Sequence, residues 1–304
     1  MGRFIEIVEV GPRDGLQNEK VTLGPDIRAE FVRRLEAAGA RRIEAVSFVH
    51  PKYVPQMAGA EEVMAALPYE AGRSRIGLVL NGKGYDRALG TGVDEVNVSL
   101  SVSEGFGVKN QGLIPDQQIQ MLSEIVAGRA NAEGAGEGIP SLSATLSCVW
   151  GCPFDGEISV DQVTDMVGRV AEMGLKEIAL ADTIGVADPW SVTKKVEAAR
   201  KVANDAKLRL HFHDTRNTGL ANAYAGIEAG IDILDASVGG IGGCPFAPGA
   251  TGNLATEDLV YTLHRGGFET GYDLDALIDT ARWIGQHLNR PAPSALSRAG
   301  RWPA

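Results

Sequence analysis

The stretch His211-Phe212-His213-Asp214 ends an apolar run that starts at Leu208. On a strand, alternate side chains share a face, so His211 and His213 point the same way. Two adjacent imidazoles at a strand end suit a divalent metal; they also suit hydrogen bonds to neighbouring carboxylates. A second candidate is Gly11-Pro12-Arg13-Asp14-Gly15, where glycine and proline make a tight turn that presents an Arg–Asp pair. Asp14 can act as a hard oxygen ligand, and Arg13 can hold a substrate carbonyl or a developing oxyanion. An Arg–Asp pair in a surface turn is the plainer alternative. The third candidate is the glycine-dense loop 239–253, which carries Cys244. Glycine density lets a backbone approach a ligand and lets a lid move. Cys244 in such a loop is an accessible thiol, or a small apolar residue in a turn. The loop lacks the Gly-Lys-Ser/Thr ending of a phosphate-binding loop. Asn253 opens the helical pattern 253–264, where capping is the favoured role and metal ligation through its carbonyl oxygen the alternative.

These groups lie far apart in sequence, so a fold must gather them. Eight short runs rich in Val and Ile, at residues 5–10, 42–48, 75–80, 95–100, 141–147, 177–181, 208–213 and 233–238, read as buried parallel strands. Helical patterns lie between them at 26–38, 61–67, 116–131, 160–173, 189–206 and 219–229, and the glycine-rich stretch 131–140 reads as a loop. Eight strand–helix units without a compositional break predict an α/β protein, a (β/α)8 TIM barrel spanning 1–289 with a proline-containing tail at 290–304. An open doubly wound sheet is the competing topology. The tail reads as an arm on the barrel or as a subunit contact.

A barrel of this kind builds its active site at the C-terminal ends of its strands. Arg13 and Asp14 follow the first run, and Glu44 and Ser47 lie on the second. Asn81 follows the third; Ser101 and Ser103 follow the fourth. Ser147 and Cys148 end the fifth, Asp182 ends the sixth, His211 and His213 end the seventh, and the Cys244 loop follows the eighth. Polar loops alone would not concentrate two histidines, an arginine, a cysteine and several carboxylates at one end. Cys148 and Cys152 have no second pair and read as packing residues. His50, His264 and His287 show no partner in sequence and read as surface or core residues.

Charge and composition exclude several classes. The 304 residues are 44% hydrophobic and 22% charged, with a net charge of −10. That charge gives no support to nucleic-acid or anionic-membrane binding, and an anionic substrate would need local positive charge or a metal. Three cysteines do not make a disulfide framework. Without a signal peptide or a membrane-length apolar run, a cytoplasmic setting is expected.

The sequence resembles the 3-hydroxy-3-methylglutaryl-CoA lyase family nearly end to end. The residues that carry the resemblance include 10–20, Ile43-Glu44-Ala45-Val46-Ser47-Phe48-Val49, Pro51-Lys52-Tyr53-Val54-Pro55-Gln56-Met57 and 147–154. Further carriers are Asp182-Thr183-Ile184-Gly185, 211–215, Gly242-Gly243-Cys244-Pro245-Phe246 and 252–258. The resemblance implies metal ligands at Asp14, His211, His213 and Asn253, which reverses the capping preference for Asn253. It implies Mg2+ or Mn2+ as cofactor and catalytic roles for Arg13, Asp14, Glu44, Asp182, His211 and Cys244. It implies substrate contacts at Gln17, Ser47, Lys109 and Asn110, an acyl-CoA substrate and a homo-oligomer.

The implied reaction is metal-dependent retro-Claisen cleavage of hydroxymethylglutaryl-CoA to acetyl-CoA and acetoacetate, a step of leucine degradation. Asp14 or His211 would accept the hydroxyl proton, Glu44 and Asp182 would orient Arg13 and the substrate, and Cys244 would deliver the final proton. The sequence departs from the family pattern at Arg216-Asn217-Thr218, at Phe246 and at Gln111-Gly112-Leu113-Ile114. A family lyase acting on another branched 3-hydroxyacyl-CoA is therefore the second reading. A condensing synthase is disfavoured because the chain ends soon after the barrel, and a non-catalytic scaffold because the reactive residues are retained.

Overall fold

The computed structural model describes residues 2–134, 139–243 and 252–303. Eight of its strands make one sheet: β1 Glu6–Glu9, β2 Arg42–Ser47, β3 Ser74–Val79, β4 Glu95–Ser101, β5 Ser141–Ser147, β6 Glu177–Asp182, β7 Lys207–Phe212 and β8 Ile233–Ala236. Each pairs in parallel with its sequence neighbours, and β1 pairs with β8, so the sheet closes. Closure decides between the two expected topologies in favour of the (β/α)8 barrel. Each predicted strand is present within two residues of its expected ends.

Local sequence explains the helices around it. Ser159 and Gln162 form a reciprocal capping box at the start of Val160–Glu172. Asp188 accepts the Trp190 and Ser191 N–H groups ahead of Pro189–Arg200, and Pro25 opens Pro25–Ala37. Four further helices, not among those expected from sequence, are present: Gly82–Leu89, Glu104–Gln111, Leu274–His287 and Ala295–Ala299. Asn81 and Ser103 are N-caps of the first two, so these strand-end polar residues shape helices. Three boundaries differ from expectation. The helix Pro115–Gly134 runs into the stretch read as a loop, because Ala and Glu there favour helix. The helix from Pro189 ends at Arg200, short of residue 206. Thr256–Arg265 begins after Asn253 with Ala255 at its N-cap, so Asn253 does not cap it.

Two kinds of core result. Between strands and helices lies an apolar shell that includes Ile5, Phe31, Leu35, Ile43, Leu146 and Ile178, all essentially inaccessible. Inside the barrel, the apolar cluster is small (Val8, Val10, Ile76 and Ile233). Much of the rest of the interior is ionic. Arg42 pairs with Glu6, Glu95 and Glu177, and Arg209 bridges Glu177 and Asp235. Mutual pairing is what makes so many buried charges tolerable.

The tail packs against this barrel. Asp258 accepts the Ala295 and Leu296 N–H groups at the start of Ala295–Ala299, and Ser294 donates to Glu257. Among the described residues no helix is long and apolar enough to cross a membrane.

Glu9 is a buried hub on the outer face of β1. Its Oε1 accepts the Gly11 N–H (2.8 Å) and the Val238 N–H (3.0 Å), and its Oε2 pairs with Thr256 Oγ1 at 2.6 Å. It thus joins the turn after β1 to the loop after β8. Burial raises its pKa from 4.5 to about 8, outweighing these hydrogen bonds. The folded protein therefore binds this proton more tightly than the unfolded chain does. Its stabilising contribution is full below the unfolded carboxyl range and is lost as pH rises through about 8. Each pH unit within that window costs about 1.4 kcal/mol. Glu9→Gln mimics the protonated group, so it should melt above the wild type at pH 8, with the gap closing toward pH 5. Thermal melts across this range check it; a gap independent of pH would remove Glu9 as its source.

Candidate active site

The strand ends meet at one mouth, where a cavity of about 930 Å³ opens. At its floor the turn Gly11–Gly15 lifts Arg13 and Asp14 off β1. Asp14, His211 and His213 each offer a ligand atom, and the three atoms lie within 4.8 Å of one another. The imidazole rings are 5.1 Å apart, as expected for alternate positions on one strand face. Asp14 Oδ2 lies 3.9 Å from His211 Nε2 and 3.6 Å from His213 Nε2. Asn253 reaches the same carboxylate, donating from Nδ2 to Asp14 Oδ2 at 2.8 Å, while its own Oδ1 is buried with no hydrogen-bond partner among the described residues. Three clustered acceptor atoms plus an orphaned buried carbonyl oxygen fit a divalent cation. The loop base is tight around Asn253: a Cβ on Gly242 (φ +118°) would come 2.6 Å from Asn253 Nδ2.

Arg13 is clamped from two sides. Its Nε donates to Glu44 Oε2 at 2.7 Å, its Nη2 lies 2.5 Å from the same oxygen, and its Nη1 donates to Asp14 Oδ1 at 2.7 Å. A guanidinium has five N–H donors, so these contacts leave two for a ligand in the cavity. The electrostatics divide the carboxylates. Burial would raise Asp14, but Arg13 and then the two histidines outweigh it and hold the group well below the usual range. Burial wins at Glu44, whose pKa is raised despite Arg13. For His211, burial lowers the pKa, yet the Asp235 hydrogen bond and Asp14 raise it above the ordinary value.

The residues expected from sequence divide accordingly. Arg13, Asp14, Glu44, His211, His213, Gln17, Lys109 and Asn110 all line the cavity, and Asn253 touches its floor. Lys109 supplies positive charge at the rim, which the net acidity of the chain does not. Ser47 does not line the cavity; it is fully buried and its hydroxyl has no hydrogen-bond partner among the described residues. Asp182 does not line it either. Its two carboxylate oxygens accept the Val186 (2.9 Å) and Ala187 (3.0 Å) N–H groups, so it shapes the loop after β6 and does not contact Arg13. Its neighbours Ala181 and Thr183 face the cavity, as alternation requires. Cys244 lies outside the described residues, as does Phe246; the adjoining Gly243 lines the cavity, and its carbonyl accepts from Asn18 Nδ2 at 2.6 Å. Cys148 and Cys152 are both buried, as expected of packing residues.

The family comparison is consistent with this arrangement. Residues 4–284 match the family described as HMGL-like. The chain belongs to the HMGL-like family. It is 39% identical over 294 residues to the hydroxymethylglutaryl-CoA lyase YngG of Bacillus subtilis, covering 95% of each chain. It is 41% identical over 295 residues to the mitochondrial hydroxymethylglutaryl-CoA lyase of Gallus gallus, covering 97% of each. Against the mitochondrial enzyme of Arabidopsis thaliana it is 41% identical over 289 residues; there it spans 60% of the relative's length. Among solved structures, the HMG-CoA lyase of Bacillus subtilis superposes with a TM-score of 0.92 at 37% identity, covering 98% of both chains. An HMG-CoA lyase of Acinetobacter baumannii, in complex with coenzyme A and 3-methylmalate, superposes at 0.93 and 38% identity, covering 99% of this chain and 96% of that one.

Two groups of this HMGL-like site escaped the sequence reading. His50 and Tyr53 line the cavity, with His50 Nδ1 accepting the Lys52 N–H and the two rings 5.8 Å apart. The stretch 51–57 that carries the family resemblance was the available signal. The other is Asp235, whose Oδ2 lies 3.1 Å from His211 Nδ1. Its signal was an acid inside an otherwise apolar strand. Asp235 fixes the tautomer that leaves His211 Nε2 free toward Asp14, and such partners are worth about 10–100-fold in metal affinity. Asp235→Ala should weaken Mn2+ binding by about that factor. Asp235→Asn, which keeps an acceptor, should weaken it less. Calorimetric titration of the metal-free protein measures both.

Proposed function

We propose that this chain is a metal-dependent carbon–carbon lyase that cleaves (3S)-3-hydroxy-3-methylglutaryl-CoA to acetyl-CoA and acetoacetate. The observation that carries the proposal is the Asp14–His211–His213 cluster on the floor of a cavity that also holds a clamped Arg13 and runs to Lys109 and Asn110. The names of the relatives point the same way. Asp14, His211, His213 and Asn253 would hold Mg2+ or Mn2+, which when bound acidifies and orients the substrate's 3-hydroxyl group.

The chain's own residues supply the rest. The hydroxyl proton passes to a base as the C2–C3 bond breaks; the bonding electron pair moves into the thioester as an enolate, leaving acetoacetate as the other product. Asp14 or His211 would take that proton: both present an atom at the metal cluster, and Asp235 behind His211 would hold its ring in place. The two uncommitted N–H groups of Arg13 stabilise the charge on the thioester oxygen, and Glu44 keeps the guanidinium in place. Gln17 and the rim pair Lys109–Asn110 bind the acyl-CoA. Cys244, assigned from sequence, returns a proton to C2.

A differently branched 3-hydroxyacyl-CoA is favoured by one specific observation. Gln111 and Leu113, both in a stretch that departs from the family pattern, line the cavity, and Gln111 Nε2 donates to Ser99 O at 2.8 Å. The departure at Arg216 carries no such weight, because Arg216 does not line the cavity and its Nη1 donates to the Ile184 and Gly185 carbonyls.

The deciding assay follows acetyl-CoA release from hydroxymethylglutaryl-CoA with and without Mn2+, beside a panel of branched 3-hydroxyacyl-CoA thioesters. Turnover should vanish with EDTA and return with Mg2+ or Mn2+; no cleavage of any thioester by the metal-loaded protein would sink the proposal. Arg13→Met should cut kcat by about 10²–10³-fold. Cys244→Ala should also lower turnover with the metal retained, and near-normal turnover would remove the thiol from the scheme.

A further inference from the structure

A small hairpin beside the cavity is used by none of the steps above. After β5 the chain turns at Cys148, which has a left-handed backbone (φ 61°) and donates its N–H to Thr183 Oγ1 at 2.8 Å. Gly151–Cys152 then pairs antiparallel with Gly156–Glu157. At the base of this hairpin sits Lys195, from the helix Pro189–Arg200. The residue is 7% exposed, and its Nζ donates to Val149 O at 2.9 Å and to Ile158 O at 2.7 Å. Those two carbonyls flank the hairpin, so one ammonium ties its two ends together. Lysine is rarely this buried unless its charge is matched.

The tip of the hairpin reaches the cavity wall. Asp155 Oδ2 accepts the Gly105 N–H at 2.8 Å, in the first turn of the helix Glu104–Gln111. A Cβ on Gly105 would lie 2.4 Å from Asp155 Oδ1 and 2.8 Å from Phe154 Cβ, so the tip and this helix are in close contact. The same helix carries Lys109, Asn110 and Gln111 to the cavity. A buried cation at one end and a carboxylate on a helix N-terminus at the other make the hairpin a strut between two helices.

We propose that Lys195 and Asp155 are positioning residues for acyl-CoA binding, acting through the hairpin to place the helix that presents Lys109 and Asn110. The inference rests on reading the cavity as an acyl-CoA site. Neither residue touches the Asp14–His211–His213 cluster, so binding and chemistry should separate.

Lys195→Met should raise KM for hydroxymethylglutaryl-CoA about tenfold. Its kcat and Mn2+ affinity should stay near wild type. Lys195→Arg, which keeps donors for both carbonyls, should restore KM. Asp155→Ala should raise KM, and Asp155→Asn, which keeps an acceptor for the Gly105 N–H, should not. The double variant Lys195→Met/Asp155→Ala should be little worse than the worse single one, because both act through one strut. Amide hydrogen exchange of residues 105–111, read without substrate, should quicken in Lys195→Met and Asp155→Ala.

Unchanged KM and exchange in both variants, in an enzyme that cleaves the thioester normally, would overturn the proposal. So would a loss confined to kcat or to metal affinity. Faster exchange in the two variants of a protein whose wild type cleaves no acyl-CoA would strike down the functional reading and the substrate named here, while showing that the strut exists.

Discussion

One carboxylate organises this molecule. Asp14 accepts from Arg13 and Asn253 and has the Nε2 atoms of His211 and His213 within 4 Å. Removing one partner from a buried ion pair typically costs about 3–5 kcal/mol, because the remaining charge has nowhere to go. Asp14 therefore requires Arg13, and Arg13 in turn requires Glu44 from β2. Asn253 comes from the far side of the loop after β8, and the histidines come from β7. Meeting the charge on Asp14 thus fixes the ends of β1, β2 and β7 and the return of the β8 loop relative to one another.

The same constraint continues down the barrel axis. Asp235 meets His211 above and Arg209 below; Arg209 meets Glu177, and Glu177 meets Arg42, which also meets Glu6 and Glu95. A barrel filled with Val and Leu would be held by packing alone. Here alternating charges run from the floor of the interior to the cavity, and each holds the next in a defined orientation. Outside the barrel, Glu9 does comparable work for the backbone, joining the turn that bears Arg13 and Asp14 to the loop after β8.

Much of the scaffold was legible from one physical pattern. Runs of apolar residues in units of five to seven, broken by turns, mark strands buried on both faces, and all eight were placed to within two residues. Alternation then carried the reading into the site: it put His211 and His213 on one face and, applied to β6, it explains why Thr183 rather than Asp182 meets the cavity. Short helices such as Glu104–Gln111 were not legible, because their stability comes from caps and tertiary contacts such as Asp155 on Gly105, not from an amphipathic period.

The sequence by itself determined the inventory: the eight strand–helix units, the paired histidines, the Arg13–Asp14 turn and the gathering of reactive groups at strand ends. These follow from local periodicity and residue chemistry, which are written in order along the chain. Only the tertiary structure decided which groups meet. It closed the sheet, released Asn253 from a capping role and set it on Asp14, and placed Asp235 behind His211. It turned Asp182 and Arg216 away from the cavity and brought Gln111 into it. Hydrogen bonds and ion pairs act over a few ångströms in space between residues tens to hundreds of positions apart, and no local pattern encodes that distance.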